Sequence, residues 1–262
     1  MSNTHQPKTL AFFGATGDCA GYCLASSLNA SYSCTALVRT PQKLIDSLKK
    51  KGVSQTAIDF HLTIIQGDAK NLLKVKTALQ HKSQIVDTIV SGIGGTPALQ
   101  WSLREPVTLT DRTICQDAGA TIVKAARELT STSAGAQRPL FINVSTTGIP
   151  APGSPWDVPF LLTFLYRWFL HVPHQDKAEL EKLLRAKVRS EGSGIRGFVN
   201  VKPSLLMNGE GRGVGAVRVG TEKRPAVGYM VQRRDVGEFM FERLIKGEVK
   251  SEWVGQSLTV TY

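Results

Sequence analysis

The most chemically suggestive stretch of the sequence is Leu10-Ala-Phe-Phe-Gly14-Ala15-Thr16-Gly17-Asp18-Cys19-Ala20-Gly21. An apolar run enters a glycine turn and leaves it as a helix, the context in which a dinucleotide's phosphates are bound. Gly14 permits the tight turn, Gly17 lets the backbone approach a pyrophosphate, and Ala20 or Gly21 lets the helix pack close to the strand. Amides at the helix start, from Thr16 through Gly17, Asp18 and Cys19, then face the anion.

The end of the second apolar run specifies the cofactor further. An acidic residue there would hydrogen-bond a ribose 2′-hydroxyl, but the sequence reads Val38-Arg39-Thr40-Pro41-Gln42-Lys43. A guanidinium at Arg39 suits a 2′-phosphate through paired charge-assisted bonds, and Lys43 adds a second cation, so NADP(H) is expected rather than NAD(H). Two later run ends belong to the same crevice. Asp68, in Gly67-Asp68, either accepts from the adenine amino group or caps a helix. Gly92, in Ser91-Gly92-Ile93-Gly94-Gly95, lets a ribose lie against the backbone.

These residues need a scaffold that gathers strand ends at one edge. The first 145 residues alternate short β-rich runs with longer helical patterns, as parallel βαβ units do. Strands are expected at Thr9–Phe13, Thr35–Val38, Thr63–Ile65, Thr88–Ser91 and Leu140–Val144. Helices are expected near Tyr22–Leu28, Lys43–Lys50, Leu72–Gln80 and Asp111–Leu129. The fold class is α/β, a Rossmann-type doubly wound parallel sheet in one domain over residues 1–262. A small substrate-side cap is expected from about 146–192 and 204–232.

Beyond Val144 the pattern predicts a Pro- and Gly-rich loop, an apolar helix over Val158–Val172 and an amphipathic helix from about His174 to Arg189. A sixth strand follows at Ile195–Val201, ended by Pro203. Gly209–Gly220, with five glycines, reads as too flexible for a packed element. Asp235 is expected to N-cap a helix through Ile245, and Leu258–Tyr262 to form a closing edge strand. The aromatic residues Phe160, Phe164, Tyr166, Trp168 and Phe169 suit a core or dimer interface, or a hydrophobic substrate wall.

The chain has 262 residues and a net charge of +11. The cations are dispersed apart from Lys49-Lys50-Lys51 and Arg233-Arg234, so a solvated surface with an anionic ligand site is expected, and no nucleic acid. No apolar run reaches the roughly 18 residues of a membrane span. Met1–Lys8 lacks the layout of a signal peptide. Cys19, Cys23, Cys34 and Cys115 lie in apolar stretches without paired spacing, which predicts buried thiols in a reduced, cytoplasmic setting. Histidines and cysteines at ligand spacing are lacking, so no metal is expected.

The GATG-x-x-A loop, Ala36-Leu-Val-Arg-Thr40, Gly67-Asp68, Ser145-Thr-Thr-Gly148 and Gly228-Tyr-Met-Val-Gln-Arg-Arg-Asp235-Val-Gly237 together resemble the atypical short-chain dehydrogenase/reductase superfamily. Within it the chain is similar to NmrA-like fungal NAD(P)-binding proteins, averufin oxidase-like enzymes among them. The resemblance implies a Ser at the end of the fifth strand and a Tyr-x-x-x-Lys pair on the next helix. Ser145 or Thr146 matches the Ser, and Lys177 matches the Lys that holds the nicotinamide ribose. Pro173 stands where the proton-transferring Tyr belongs.

That departure leaves the proton-handling group open. His174 lies three residues before Lys177, so both face one side of a helix. A histidine can act as acid or base near neutrality, and a neighbouring ammonium lowers its pKa. His171 and Tyr166 are alternatives. The reading that follows is an NADPH-dependent oxidoreductase, monomeric or homodimeric, acting on a lipophilic and polycyclic secondary metabolite. Two others stay open: a non-redox isomerase, cyclase or dehydratase on the same scaffold, and an NADP(H)-sensing regulatory protein.

Overall fold

A computed structural model describes residues 8–95, 97–99, 107–132, 137–190 and 192–262; the side chains of 97–99, 107, 167 and 169 are outside the description. Met1–Pro7 and the Phe169 side chain, on which two of the expectations above fall, therefore lie outside the described residues.

Eight strands form the central sheet: β1 (Leu10–Phe13), β2 (Cys34–Val38), β3 (Leu62–Gln66), β4 (Thr88–Ser91), β5 (Leu140–Val144), β6 (Gly197–Pro203), β7 (Arg218–Gly220) and β8 (Gln256–Thr261). Their spatial order is 3-2-1-4-5-6-8-7. Every neighbouring pair is parallel except β7 with β8. Strands that alternate with helices in sequence must cross over to pair in parallel, and the order reverses between β1 and β4. Ligands bind at that switch point in such sheets.

The helices are α1 (Asp18–Asn29), α2 (Pro41–Lys50), α3 (Gln55–His61), α4 (Leu72–Ala78), α5 (Ile114–Thr132), α6 (His171–Val188) and α7 (Arg233–Phe239). Successive strand residues point to opposite faces, and both faces are covered. Leu10 and Phe12 pack with Leu24 of α1 and Phe239 of α7. Ala11 and Phe13 pack with Ile122 of α5 and Leu180 of α6. This is the α/β Rossmann-type architecture that the alternating pattern predicts.

The structure differs from the sequence reading in five places. The segment Val158–Val172 is not one buried helix: a 3₁₀ turn at Phe160–Leu162 is followed by a π-helical turn at Leu165–Phe169. Its extra residue per turn inserts Tyr166 into the protein while Phe160, Leu161 and Phe164 remain 90%, 76% and 72% exposed. Helix α6 begins at His171, earlier than expected, because Pro173 sits in its first turn, where a missing N–H costs no hydrogen bond.

Asp235 is not an N-cap; Gln232 occupies that position. The Asp235 carboxylate instead accepts from the amides of Arg212 and Gly213, at 2.6 and 3.2 Å, and from the Tyr262 hydroxyl. Those bonds tie down Gly209–Gly220, which carries a 3₁₀ turn at Val214–Ala216 and strand β7 rather than a loose loop. Because β7 covers it, β8 is an interior strand and not the sheet edge.

Candidate functional site

The turn between β1 and α1 is built on two close approaches. Gly14 has φ +72°, and a Cβ there would lie 2.7 Å from the backbone of Gly92. A Cβ on Gly92 would lie 2.6 Å from that of Ala20. The two glycines thus let the loops after β1 and β4 touch, leaving no room for side chains beneath the first turn of α1. Thr16 lies in this turn, and the Gly17 amide donates back to the Gly14 carbonyl at 3.0 Å.

A cleft of about 340 Å³ opens above these strand ends, with Gly17, Asp18, Cys19 and Gly92 on one wall and Ser145, His174 and Lys177 on another. The chain folds this way because each of these residues follows a parallel strand or begins a helix at the same edge of the sheet. Asp18 is exposed in the first turn of α1 and pairs with Lys51 at 3.1 Å. Cys19 is buried, and burial pushes its thiol up to about 12, so its contribution to the cleft wall is not that of a thiolate.

Arg39 and Lys43 stand just beyond the cleft, exposed at the end of β2 and in the first turn of α2. Neither has an ion pair or side-chain hydrogen bond among the described residues, and α2 has no acidic residue in its first turn. Asp68 is exposed after β3. Its carboxylate accepts from the Lys70 amide at 2.8 Å, while Asn71 caps α4. Of its two expected roles, the helix cap therefore belongs to another residue.

On the opposite wall, Lys177 donates to the Val144 carbonyl at 2.8 Å, which fixes its ammonium at the end of β5. The His174 ring lies one turn earlier and packs against Tyr166, with centroids 5.4 Å apart. Burial lowers the His174 pKa to about 4, and the charges of Lys177, Lys202 and His171 act in the same direction. The imidazole is therefore neutral near pH 7. Tyr166 is buried, its hydroxyl accepts from Thr147 Oγ1 at 3.4 Å, and burial raises its pKa. Pro173 lines the cleft at the position four before Lys177, with no group to donate there.

Ser145 and Thr146 both line the cleft, but their hydroxyls differ. Ser145 is buried and its Oγ donates to Glu181 Oε1 at 2.5 Å. Thr146 has no side-chain hydrogen bond among the described residues. His171, the remaining alternative, is exposed and contacts the Gln175 amide at 3.0 Å.

Several supporting residues escaped the sequence reading. Buried Asp176 accepts from the amides of Cys115 and Gln116, at 2.9 and 3.0 Å, and so caps α5 from α6. Buried Glu181 holds Ser145 and lies 3.5 Å from the ammonium of buried Lys202, which also donates to the Ile149 carbonyl. Arg233 lines the cleft and donates to the Leu206 carbonyl at 3.0 Å and to Asn208 Oδ1 at 2.8 Å. One signal was available: Val172, Asp176, Leu180 and Leu184 recur every four residues and are all buried. A carboxylate within such an apolar stripe has to be paired.

The residues present fit a nicotinamide dinucleotide. The side-chain-free cradle at Gly14 and Gly92 lies below a helix N-terminus, and Arg39 and Lys43, without ion pairs among the described residues, stand after β2 and at the start of α2. Among the described residues, no helix is long and apolar enough to cross a membrane.

A family model described as NAD(P)H-binding matches residues 14–246. Reductase pytE of Aspergillus terreus is 43% identical over 262 residues, covering 97% of this chain and 98% of that one. Oxidase pynE of Aspergillus niger is 34% identical over 283 residues, with the same coverage. Among solved structures, the anaerobillin reductase ChuY from Escherichia coli superposes with a TM-score of 0.64 at 17% identity, covering 97% of this chain and 96% of that one. A short-chain dehydrogenase/reductase from Serratia marcescens gives 0.63 at 14%, covering 98% and 97%. These last two likenesses concern the fold alone. Fold, cradle and full-length relatives agree, and the chain belongs to the NAD(P)H-binding family.

Proposed function

We infer that the protein is an NADP(H)-dependent oxidoreductase acting on a lipophilic, polycyclic secondary metabolite. The observation that carries the cofactor choice is Arg39, just after β2, with Lys43 in the first turn of α2, two exposed cations without partners among the described residues, where NAD-specific sites carry a carboxylate. Gly14, Thr16, Gly17, Asp18, Cys19 and Gly92 would cradle the pyrophosphate and ribose, Asp68 would meet the adenine, and Lys177 would hold the nicotinamide ribose. Reductase and oxidase relatives that match along nearly the whole chain support redox chemistry, and their fungal sources support a secondary metabolite and the NmrA-like affiliation.

When bound, the nicotinamide supplies or accepts a hydride; the protein must handle the accompanying proton. Lys177 fixes the ribose edge of the site, and Ser145 orients a substrate oxygen. His174, neutral at pH 7, is the candidate base one helical turn away. The exposed Phe160, Leu161 and Phe164 support an apolar substrate, as part of a cap formed by 146–192 and 204–232. A monomer or homodimer in the cytoplasm fits this reading.

The test is calorimetric titration with NADP⁺ and NAD⁺, followed by mass spectrometry of product formed with stereospecifically deuterated NADPH. Preference for NADP⁺ and label in the product are expected. Turnover undiminished without nicotinamide would overturn the redox reading in favour of an isomerase, cyclase or dehydratase. Binding without turnover, together with a redox-dependent protein partner, would favour a sensor.

A further inference from the structure

With Pro173 in place of a tyrosine, the cleft has no phenol at the position four before Lys177. Behind Ser145, however, lies a buried acid. Ser145 Oγ and Glu181 Oε1 are 2.5 Å apart, and Ser145 lines the cleft while Glu181 does not. We propose that Glu181 is the proton store of this site, exchanging a proton with the substrate oxygen through the Ser145 hydroxyl. The proposal rests on the oxidoreductase reading for its substrate and on this structure for its path.

The step balances as follows. During reduction of a carbonyl, the carbon gains the hydride from reduced nicotinamide and the C=O π pair moves onto oxygen. That oxygen takes the Ser145 hydroxyl proton, and Ser145 Oγ takes the proton carried by Glu181 Oε1. Glu181 is left as a carboxylate. In that state Ser145 donates to it, the arrangement described above; in the protonated state the hydrogen bond reverses and frees the hydroxyl hydrogen for the cleft. Oxidation of an alcohol runs the same transfers backwards.

Groups from every element packed on Glu181 serve both states. Lys202 of β6 lies 3.5 Å from Oε2 and compensates the carboxylate. Ser257 of β8 donates to Oε2 at 3.4 Å and itself accepts from Arg185 of α6 at 2.9 Å. Arg185 is neutralised in turn by its ion pair with Glu222. Burial raises the Glu181 pKa, and the positive charges of Lys202 and Arg185 and the Ser145 hydrogen bond oppose that rise. Lys202, Ser257 and Glu222 also line a recess of about 10 Å³ that shares no lining residue with the cleft and has room for about one water.

Infrared titration of the whole protein, without substrate, tests the store. A carboxylic-acid C=O band is expected whose midpoint lies above that of an ordinary glutamate, which vanishes in Glu181→Gln and shifts frequency in Ser145→Ala. A Glu181 that ionises like an exposed glutamate, or a band indifferent to Ser145→Ala, overturns the proposal. The relay is tested with NADPH and phenanthrenequinone as the carbonyl probe. Glu181→Gln, which keeps a hydrogen bond to Ser145, is expected to lower kcat roughly tenfold or more with KM within about twofold, and Glu181→Asp to recover part of it. Wild-type kcat in Glu181→Gln overturns the relay. A wild-type protein that oxidises no NADPH with the probe, yet shows the infrared behaviour, counts against the redox reading and leaves the proton store standing.

Discussion

Lys177 Nζ donates to the Val144 carbonyl at 2.8 Å, joining the second turn of α6 to the last residue of β5. Among the described residues this is the ammonium's one hydrogen bond, and a group held this way costs little entropy to engage a ribose. Replacing Lys177 with Met is expected to raise the Kd for NADP⁺ about tenfold, roughly 1.4 kcal/mol, while the fold persists. Calorimetry with a parallel melting curve checks both.

The charge at Arg39 makes a different prediction, about selectivity. On the proposed NADP(H) reading, Arg39→Ala would remove charge-assisted hydrogen bonds worth ~1.5–3 kcal/mol, so NADP⁺ binding should weaken about ten- to a hundredfold. NAD⁺ binding should change little. Equal loss for both cofactors would mean that Arg39 does not meet the 2′-phosphate.

His174 ties stability to pH. Its folded pKa, about 4, lies below the ordinary 6.5, so between these values the unfolded chain binds more protons. Stability contributed by the neutral ring is present above about pH 6.5 and declines as the pH falls towards 4. His174→Phe should flatten that decline. Lys177→Met, by removing a neighbouring positive charge, should move the His174 midpoint upward in an NMR titration.

Asp176 couples two helices through amide hydrogen bonds. Asp176→Ala leaves the Cys115 and Gln116 amides without their acceptor at a buried helix start, and a loss of ~1–3 kcal/mol is expected. Denaturant unfolding measures it, and Asp176→Asn, which retains one acceptor oxygen, should lose less.

Gly14→Ala tests the cradle itself. A left-handed residue bearing a Cβ costs roughly 1–2 kcal/mol before any collision, and here the methyl would also meet Gly92's backbone at 2.7 Å. Weakened cofactor binding together with a lower melting temperature is expected.

Much of this was legible from residue type and spacing. Leu10–Phe13 followed by Gly14 and Gly17 carries both a strand and its turn, because a continuous apolar run buried on both faces and the positive φ of Gly14 are local requirements. Arg39 was equally readable as the residue that follows β2. What resisted reading depends on contacts distant in sequence. Asp235 looks like a cap from its neighbours alone, but its partners, Arg212 and Gly213, come from a loop that sequence composition made look loose. Lys202 and Glu181 are ordinary charges until β6 and α6 are packed together, and only then do they become a buried pair. The π turn at Leu165–Phe169 has no signature in apolar periodicity, since its extra residue is inserted to bring Tyr166 inward.

The interior position of β8 has a consequence for how the chain acquires its shape during synthesis. Translation is vectorial, and β1 to β6 emerge in an order that lets each find a neighbour already made. β7 does not: its sole partner in the sheet, β8, is encoded 35 residues downstream of its end. Until those residues leave the ribosome, β6 presents a bare edge and the Arg218–Gly220 segment waits unattached. The support behind the cleft residue Ser145 is therefore among the last parts of the protein to be completed, since Ser257, which braces Glu181, arrives with β8.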